Sequence, residues 1–358
     1  MARLSGMRVA VAGAGAIGSA IALKLQDEGA KVLLADPAPA GPNASRVAAG
    51  MLAPALEAVL DRMAADHFPL LRAARDLWPA LAERLVPFGA RLDRSGALWV
   101  GDEASNAAAL AGLIGIGAEA EALATGPAQG LSQGLEAPAG AVFTAEDWTL
   151  DPGPMLAALH AAFEAEGGAL RLAAIRGWRQ GRAQLSDAGA AEADVLVLAA
   201  GLEAEDLAEA PPELVHLEPI KGQLIRLDGA APRSGPVVRG EGIYVAPRAS
   251  GAIAGATMEP GRRDLEVEPA TVDRLRAAAA RLFPALATAS AIGAAGVRAG
   301  TPDGLPLVGP SRTPGMWLAM GARRNGWLLA LLIAETIADQ LAGEAGGRFA
   351  RLFDPARF

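Results

Sequence analysis

Cysteine is absent from all 358 residues. Its absence excludes disulfides, thiolate metal sites, cysteine nucleophiles and any cysteinyl attachment of a cofactor. Histidine is nearly absent too: His67, His160 and His216 are scattered along the chain, so no zinc or non-haem iron site is expected. Lysine is confined to Lys24, Lys31 and Lys221, and the net charge is -8. Arginine supplies the other 29 of the 32 basic residues, but with 40 acidic residues the balance is negative, no phosphate-tracking basic face is evident, and no nucleic-acid partner is expected. The longest wholly apolar run, residues 327–334, is far too short to cross a bilayer. The first residues reach a strand without a charged-then-apolar signal pattern, so a cytoplasmic protein without a membrane partner is expected. What remains is apolar: 52% of residues, enough to bury the core of a large or two-part fold.

The first readable unit is MRVAVAGAGAIGSAIALKLQDEGAKVLLAD (residues 7–36). Val9 and Val11 mark a strand that runs into a glycine turn. Ile17, Ile21 and Leu25 recur at helical spacing, Gly29 stands where that helix should end, and residues 31–35 form a second strand. Strand, turn, helix and strand make a right-handed βαβ unit. Gly13, Gly15 and Gly18 occupy the G-x-G-x-x-G spacing. In such a motif the first glycine allows the turn, the second admits a pyrophosphate to the backbone, and the third lets helix pack on strand. Ala16 and Ile17 open the helix whose N-terminus would face the anion. Asp36 ends the second strand, where its carboxylate can accept from a ribose hydroxyl and repels a 2′-phosphate. NADP is therefore disfavoured, while NAD and FAD both remain.

Further along, a helix is expected over 66–88, strands over 96–100 and 193–201, and a helix over 151–166. Residues 104–140 are rich in alanine and glycine and give weak boundaries. Strands follow over 220–227, 242–247 and 252–257, then helices over 270–282 and 325–341.

Three more stretches narrow the reading: SRVAAGMLAP (45–54), GIYVAPRASGAIAGATMEPG (242–261), and GVRAGTPDGLPLVGP (296–310) followed by GARRNGWLLA (321–330). With the glycine fingerprint and IKGQ (220–223), they resemble the FAD-dependent D-amino acid oxidase superfamily, and within it the glycine oxidases of thiamine biosynthesis. The motifs occur in the family's order and span nearly the whole chain.

The resemblance implies an α/β fold: a Rossmann-like FAD-binding domain with a discontinuous mixed-sheet substrate domain. The expected division is 1–85, 147–215 and 295–358 for FAD, with 86–146 and 216–294 for substrate. FAD would be noncovalent, held by Gly13, Gly15, Ala16, Ile17, Gly18, Asp36, Ser45, Arg46, Ala48, Ala49, Gly50, Ala200, Gly201, Arg298, Asn325, Gly326 and Trp327. The helix opening at Asn325 and Gly326 would turn its positive end toward the flavin.

Arg298 lies in an apolar strand, AAGVRAG, and an arginine buried there needs an anion that its forked guanidinium can grip. By resemblance that anion is the substrate's α-carboxylate. Tyr244, the only tyrosine, and Arg324 match the family's other active-site residues, while Arg323 is expected to face solvent. Met258, Met51 and Gly242 match positions that line the substrate pocket.

The implied chemistry is oxidation of glycine, sarcosine or a small D-amino acid. Hydride passes from the α-carbon to flavin N5, and the imine is hydrolysed to an α-keto acid and ammonia. Molecular oxygen is the expected acceptor, giving hydrogen peroxide. A dehydrogenase using another acceptor and a noncatalytic flavoprotein subunit stand as alternatives, and homo-oligomer formation is left open. Two departures from the family pattern are present: Gly242 where a bulkier residue, commonly histidine, is usual, and Ala322 in place of a histidine near the flavin.

Overall fold

A computed structural model describes residues 2–41, 43–228 and 231–358. The fold is α/β and is organised by two large sheets. The first has six strands in the order Leu307–Pro310, Met316–Met320, Val195–Leu198, Arg8–Ala12, Lys31–Ala35 and Ala169–Arg171. All neighbours are parallel except the Leu307–Pro310 edge pair. The helix Ala16–Asp27 packs against Gly326–Leu341 and Pro152–Ala165, burying Ile21, Leu25, Leu159 and Ile333 completely. Gly29 follows that first helix at φ +90°, a conformation glycine adopts without strain.

The second sheet is mixed and has nine strands. Glu218–Leu227 lies near one end, between Gly251–Gly255 and Ala291–Gly300. From Gly251–Gly255 the sheet continues through Ile243–Arg248, Val237–Gly240, Ala97–Trp99 and Ala141–Thr144. Ala291–Gly300 pairs with Glu218–Leu227 residue for residue along its whole length. It brings Arg298 and Ala299 to the cleft between the sheets.

The helix expected over 66–88 is divided. Phe68–Asp76 and Trp78–Leu85 are separate helices meeting at Leu77. Pro79 explains the break, because it has no N–H for the preceding turn and its ring crowds the carbonyl four residues back. The weakly bounded stretch 104–140 contains the helix Glu103–Gly115, whose cap is the Asp102 side chain accepting from Ser105 N at 2.8 Å. Among the described residues no helix is long and apolar enough to cross a membrane, and no cluster of metal-ligating side chains occurs.

Candidate active site

The glycine turn is built almost wholly from backbone. Gly13 sits at φ +99°, and a Cβ there would lie 2.7 Å from the Ala199 carbonyl oxygen and Ala200 Cα. Gly18 lies behind the turn, where a side chain would overlap the Gly13 carbonyl oxygen, so it serves the packing of helix on strand. Asp36 accepts from Ala14 N at 2.9 Å and Ala38 N at 2.8 Å. Ser45 Oγ accepts from Ala16 N at 2.9 Å. Beneath the turn, His160 Nε2 donates to Ala14 O at 2.9 Å and lies 3.0 Å from Ser19 Oγ. Burial holds this imidazole below the usual histidine pKa and therefore neutral.

Gly13, Gly15, Ala16, Ile17, Asp36, Ser45, Ala48, Ala200, Gly201, Gly326 and Trp327 line a cleft of about 420 Å³. Ala322 is buried in its wall. Two helices, Ala16–Asp27 and Gly326–Leu341, begin on this cleft, and neither N-cap residue caps its helix with a side chain. Open amides, small side chains and two positive helix ends fit a pyrophosphate-linked dinucleotide with a polar ring edge. Arg46 stands apart from the group expected to hold it. It lines a separate concavity with Asp151 and Arg226, and its carbonyl accepts from Arg226.

A second cavity, about 370 Å³, shares Ala44, Ala48, Gly296, Arg298, Arg324 and Trp327 with the cleft, so the two adjoin. Ala49, Gly50 and Asn325 line this second space. Met51, Tyr244, Met258 and Gly242, all expected in the pocket, line it as well. Trp327 fixes the junction by donating from Nε1 to Ser45 O at 2.9 Å.

Arg298 is half-buried, and its guanidinium lies over Gly222, where any Cβ would overlap it. Among the described residues it has no carboxylate partner; its one polar contact is Nη1 donating to Met258 Sδ at 3.6 Å. Burial pulls its pKa down. Such a group is set to receive an anion from outside the chain. Tyr244 stands in the same cavity, its hydroxyl 3.1 Å from where a Cβ on Gly255 would be. Burial pushes that hydroxyl above its usual pKa, opposed first by the charge of Arg298.

The expectation that Arg323 faces solvent is wrong. Its side chain is 15% exposed and ion-paired with Asp61, while Arg324 is the more exposed of the two. The cause is the helix Pro54–Leu60, which brings Glu57 from its first turn and Asp61 from its C-cap beside the RRNG turn. Arg324 Nε lies 2.8 Å from Glu57, and Arg324 Nη1 lies 3.4 Å from Asp61. Burial acts to raise the Asp61 pKa, but the hydrogen bonds from Arg323 and Met63 N outweigh it and the net shift is downward.

Glu57, Asp61, Asp147 and Arg239 escape sequence reasoning. Asp147 is fully buried and accepts from Ala55 N at 2.8 Å and Leu56 N at 3.1 Å, capping the short helix from a distant segment. Burial pushes its carboxyl up to about 6. For Arg239 a signal does exist: PVVRG, like AAGVRAG, places one arginine among apolar strand residues.

Residues 8–340 match the DAO family, FAD dependent oxidoreductase. The chain is 30% identical over 351 residues to a glycine oxidase of Geobacillus kaustophilus, covering 92% of each. It is also 30% identical over 376 residues to the bifunctional protein ThiO/ThiG of Trichormus variabilis, covering 98% of this chain and 55% of that one. A match to the glycine oxidase of Pseudomonas putida, 35% identical over 158 residues, spans 43% of each. This chain thus spans about half the length of some of its curated relatives and nearly all of others. Among solved structures, glycine oxidase from Geobacillus kaustophilus superposes with a TM-score of 0.85 at 27% identity, covering 98% of this chain and 99% of that one.

Proposed function

The chain belongs to the DAO family of FAD-dependent oxidoreductases, and we propose that it oxidises the amino-bearing carbon of a small amino acid or amine, as a glycine oxidase does. The observation that carries this reading is Arg298: a guanidinium without a carboxylate partner among the described residues, on the wall shared by the second cavity and the dinucleotide cleft. FAD, when bound, supplies the two-electron acceptor. Arg298 grips the substrate carboxylate with its forked N–H groups, and the Tyr244 hydroxyl donates a further hydrogen bond. Two anchored oxygens orient the α-carbon toward the cleft, and orientation supplies much of the rate without a strong base. Arg324, held by Glu57 and Asp61, keeps the junction of cavity and cleft in shape.

We assign residues 1–85, 147–215 and 295–358 to FAD binding, and 86–146 and 216–294 to substrate binding. The assignment is supported by the parallel strands falling in the first set and most mixed-sheet strands in the second, with Ala291–Gly300 crossing the boundary. Glycine, sarcosine and small D-amino acids are the proposed substrates, with molecular oxygen as acceptor. Similarity to ThiO/ThiG supports a role in thiamine biosynthesis.

Anaerobic incubation of the purified, FAD-loaded protein with a panel of small amines is the direct test. Bleaching of the flavin spectrum by one of them is expected. Protein that takes up no FAD, or flavin that none of them reduces, would overturn the reading.

A further inference from the structure

Arg239 is 6% exposed and lines the substrate cavity, yet its guanidinium makes no hydrogen bond to any described residue. Nη1 is fully buried without a partner. Nη2 stands 3.8 Å from Glu57, beyond hydrogen-bond reach, and Glu57 already lies 2.8 Å from Arg324 Nε. A buried guanidinium left this way is costly unless something else accepts from it.

The strand register says where that partner would sit. Arg239 is directly opposite Tyr244 on the neighbouring strand, so both side chains leave the same face of the sheet. Trp99 is opposite Arg239 on the other side. Arg298 leaves the sheet beyond Tyr244, past Gly255 and the strand carrying Gly222. Two arginines thus flank one tyrosine in one cavity. In the same cavity, Gly242 sits at φ +69° with nothing within 4 Å of where a Cβ would be, which leaves room for a ligand longer than glycine.

We propose that the cavity binds amino acids or secondary amines bearing a second carboxylate, with one carboxylate on Arg298 and the other on Arg239. This rests on the amine-oxidation reading and adds the substrate class to it. Arg239 is then a specificity-determining residue, placed to reward a group that glycine lacks.

The test uses the FAD-loaded protein. Glutarate and valerate, unreactive acids of equal length with two carboxylates and one, are titrated against the flavin spectrum. D-Aspartate, D-glutamate and iminodiacetate are compared as reductants with glycine, D-alanine and sarcosine. Glutarate is expected to bind at least about tenfold more tightly than valerate, with the dicarboxylic amines giving the higher kcat/KM. Arg239→Gln is expected to lower the dicarboxylate-to-monocarboxylate ratio roughly 10- to 100-fold in both measurements, and Arg239→Lys to recover part of it. Equal binding of glutarate and valerate by the unmodified protein overturns the proposal without need of a variant. So does an Arg239→Gln protein that loses both classes equally, as a purely structural arginine would. Flavin reduced by glycine-type amines with no preference for dicarboxylates removes only the second site. Flavin reduced by neither class removes amine oxidation as well.

Discussion

The dinucleotide end and the substrate end of the site adjoin but are built from opposite materials. The dinucleotide end is backbone: Gly13, Gly15 and the openings of two helices, with Asp36 and Ser45 accepting from main-chain N–H groups. The substrate end is side chains: Arg298, Arg239, Arg324, Tyr244 and Glu57, delivered by strands, a helix and the RRNG turn, far apart in sequence. A site made of backbone tolerates almost no added atom. A site made of long side chains tolerates substitution geometrically but loses its chemistry with the group removed.

The contrast is tested most severely at Gly13. Gly13→Val adds a branched side chain at positive φ against the Ala199–Ala200 backbone, and the purified protein is expected to lose its flavin, read as absorbance per chain. Protein carrying a full complement of FAD would break the comparison. Arg298→Ala should do the reverse, retaining FAD while kcat/KM for the amine substrate falls roughly 10²- to 10³-fold.

Titration separates the two ends in opposite senses. Asp147, under the substrate end, has its folded-state carboxyl raised to about 6, so the folded protein binds the proton more readily than the unfolded chain. Its contribution is greatest at low pH and is lost as pH rises through 6, by on the order of 3 kcal/mol between pH 4 and 7. Urea unfolding of the unmodified protein and Asp147→Asn should show the former's relative advantage shrinking over that window. His160, under the glycine turn, is lowered instead. Its contribution holds at neutral pH and is lost as pH falls below the usual histidine range, so protonating it should loosen FAD retention in mild acid. The smallest effect expected is that of Gly222→Ala, which displaces the Arg298 guanidinium without deleting it. A loss of about tenfold in kcat/KM, with flavin content intact, is the predicted reading.

The same difference decides what the sequence discloses. Backbone sites are written locally: Gly13, Gly15, Gly18 and Asp36 fall within one βαβ unit, and its strands and helix are legible from period alone. The side-chain end is legible only in part. Arg298 stands out as a charge in an apolar strand, and the family resemblance supplies Tyr244 and Arg324. Glu57 and Asp61, one helical turn apart, look like an ordinary solvated face until the fold presses them against the RRNG turn. Asp147 reaches the start of that helix across about ninety residues of chain, a pairing that no local pattern reports. Pro79 was readable as a helix break, yet apolar spacing on both sides of it suggests one continuous helix.

The ladder between Glu218–Leu227 and Ala291–Gly300 has a mechanical consequence. It is paired without interruption over ten residues, and its last residues also wall the dinucleotide cleft. Both strands of the ladder belong to the second sheet, and only the end of Ala291–Gly300 reaches the cleft, where Ala299 O accepts from Arg323 N at 2.8 Å. A wall shared in this way ties the substrate cavity to the dinucleotide cleft through one strand, so a shift of Ala291–Gly300 would be felt in both at once.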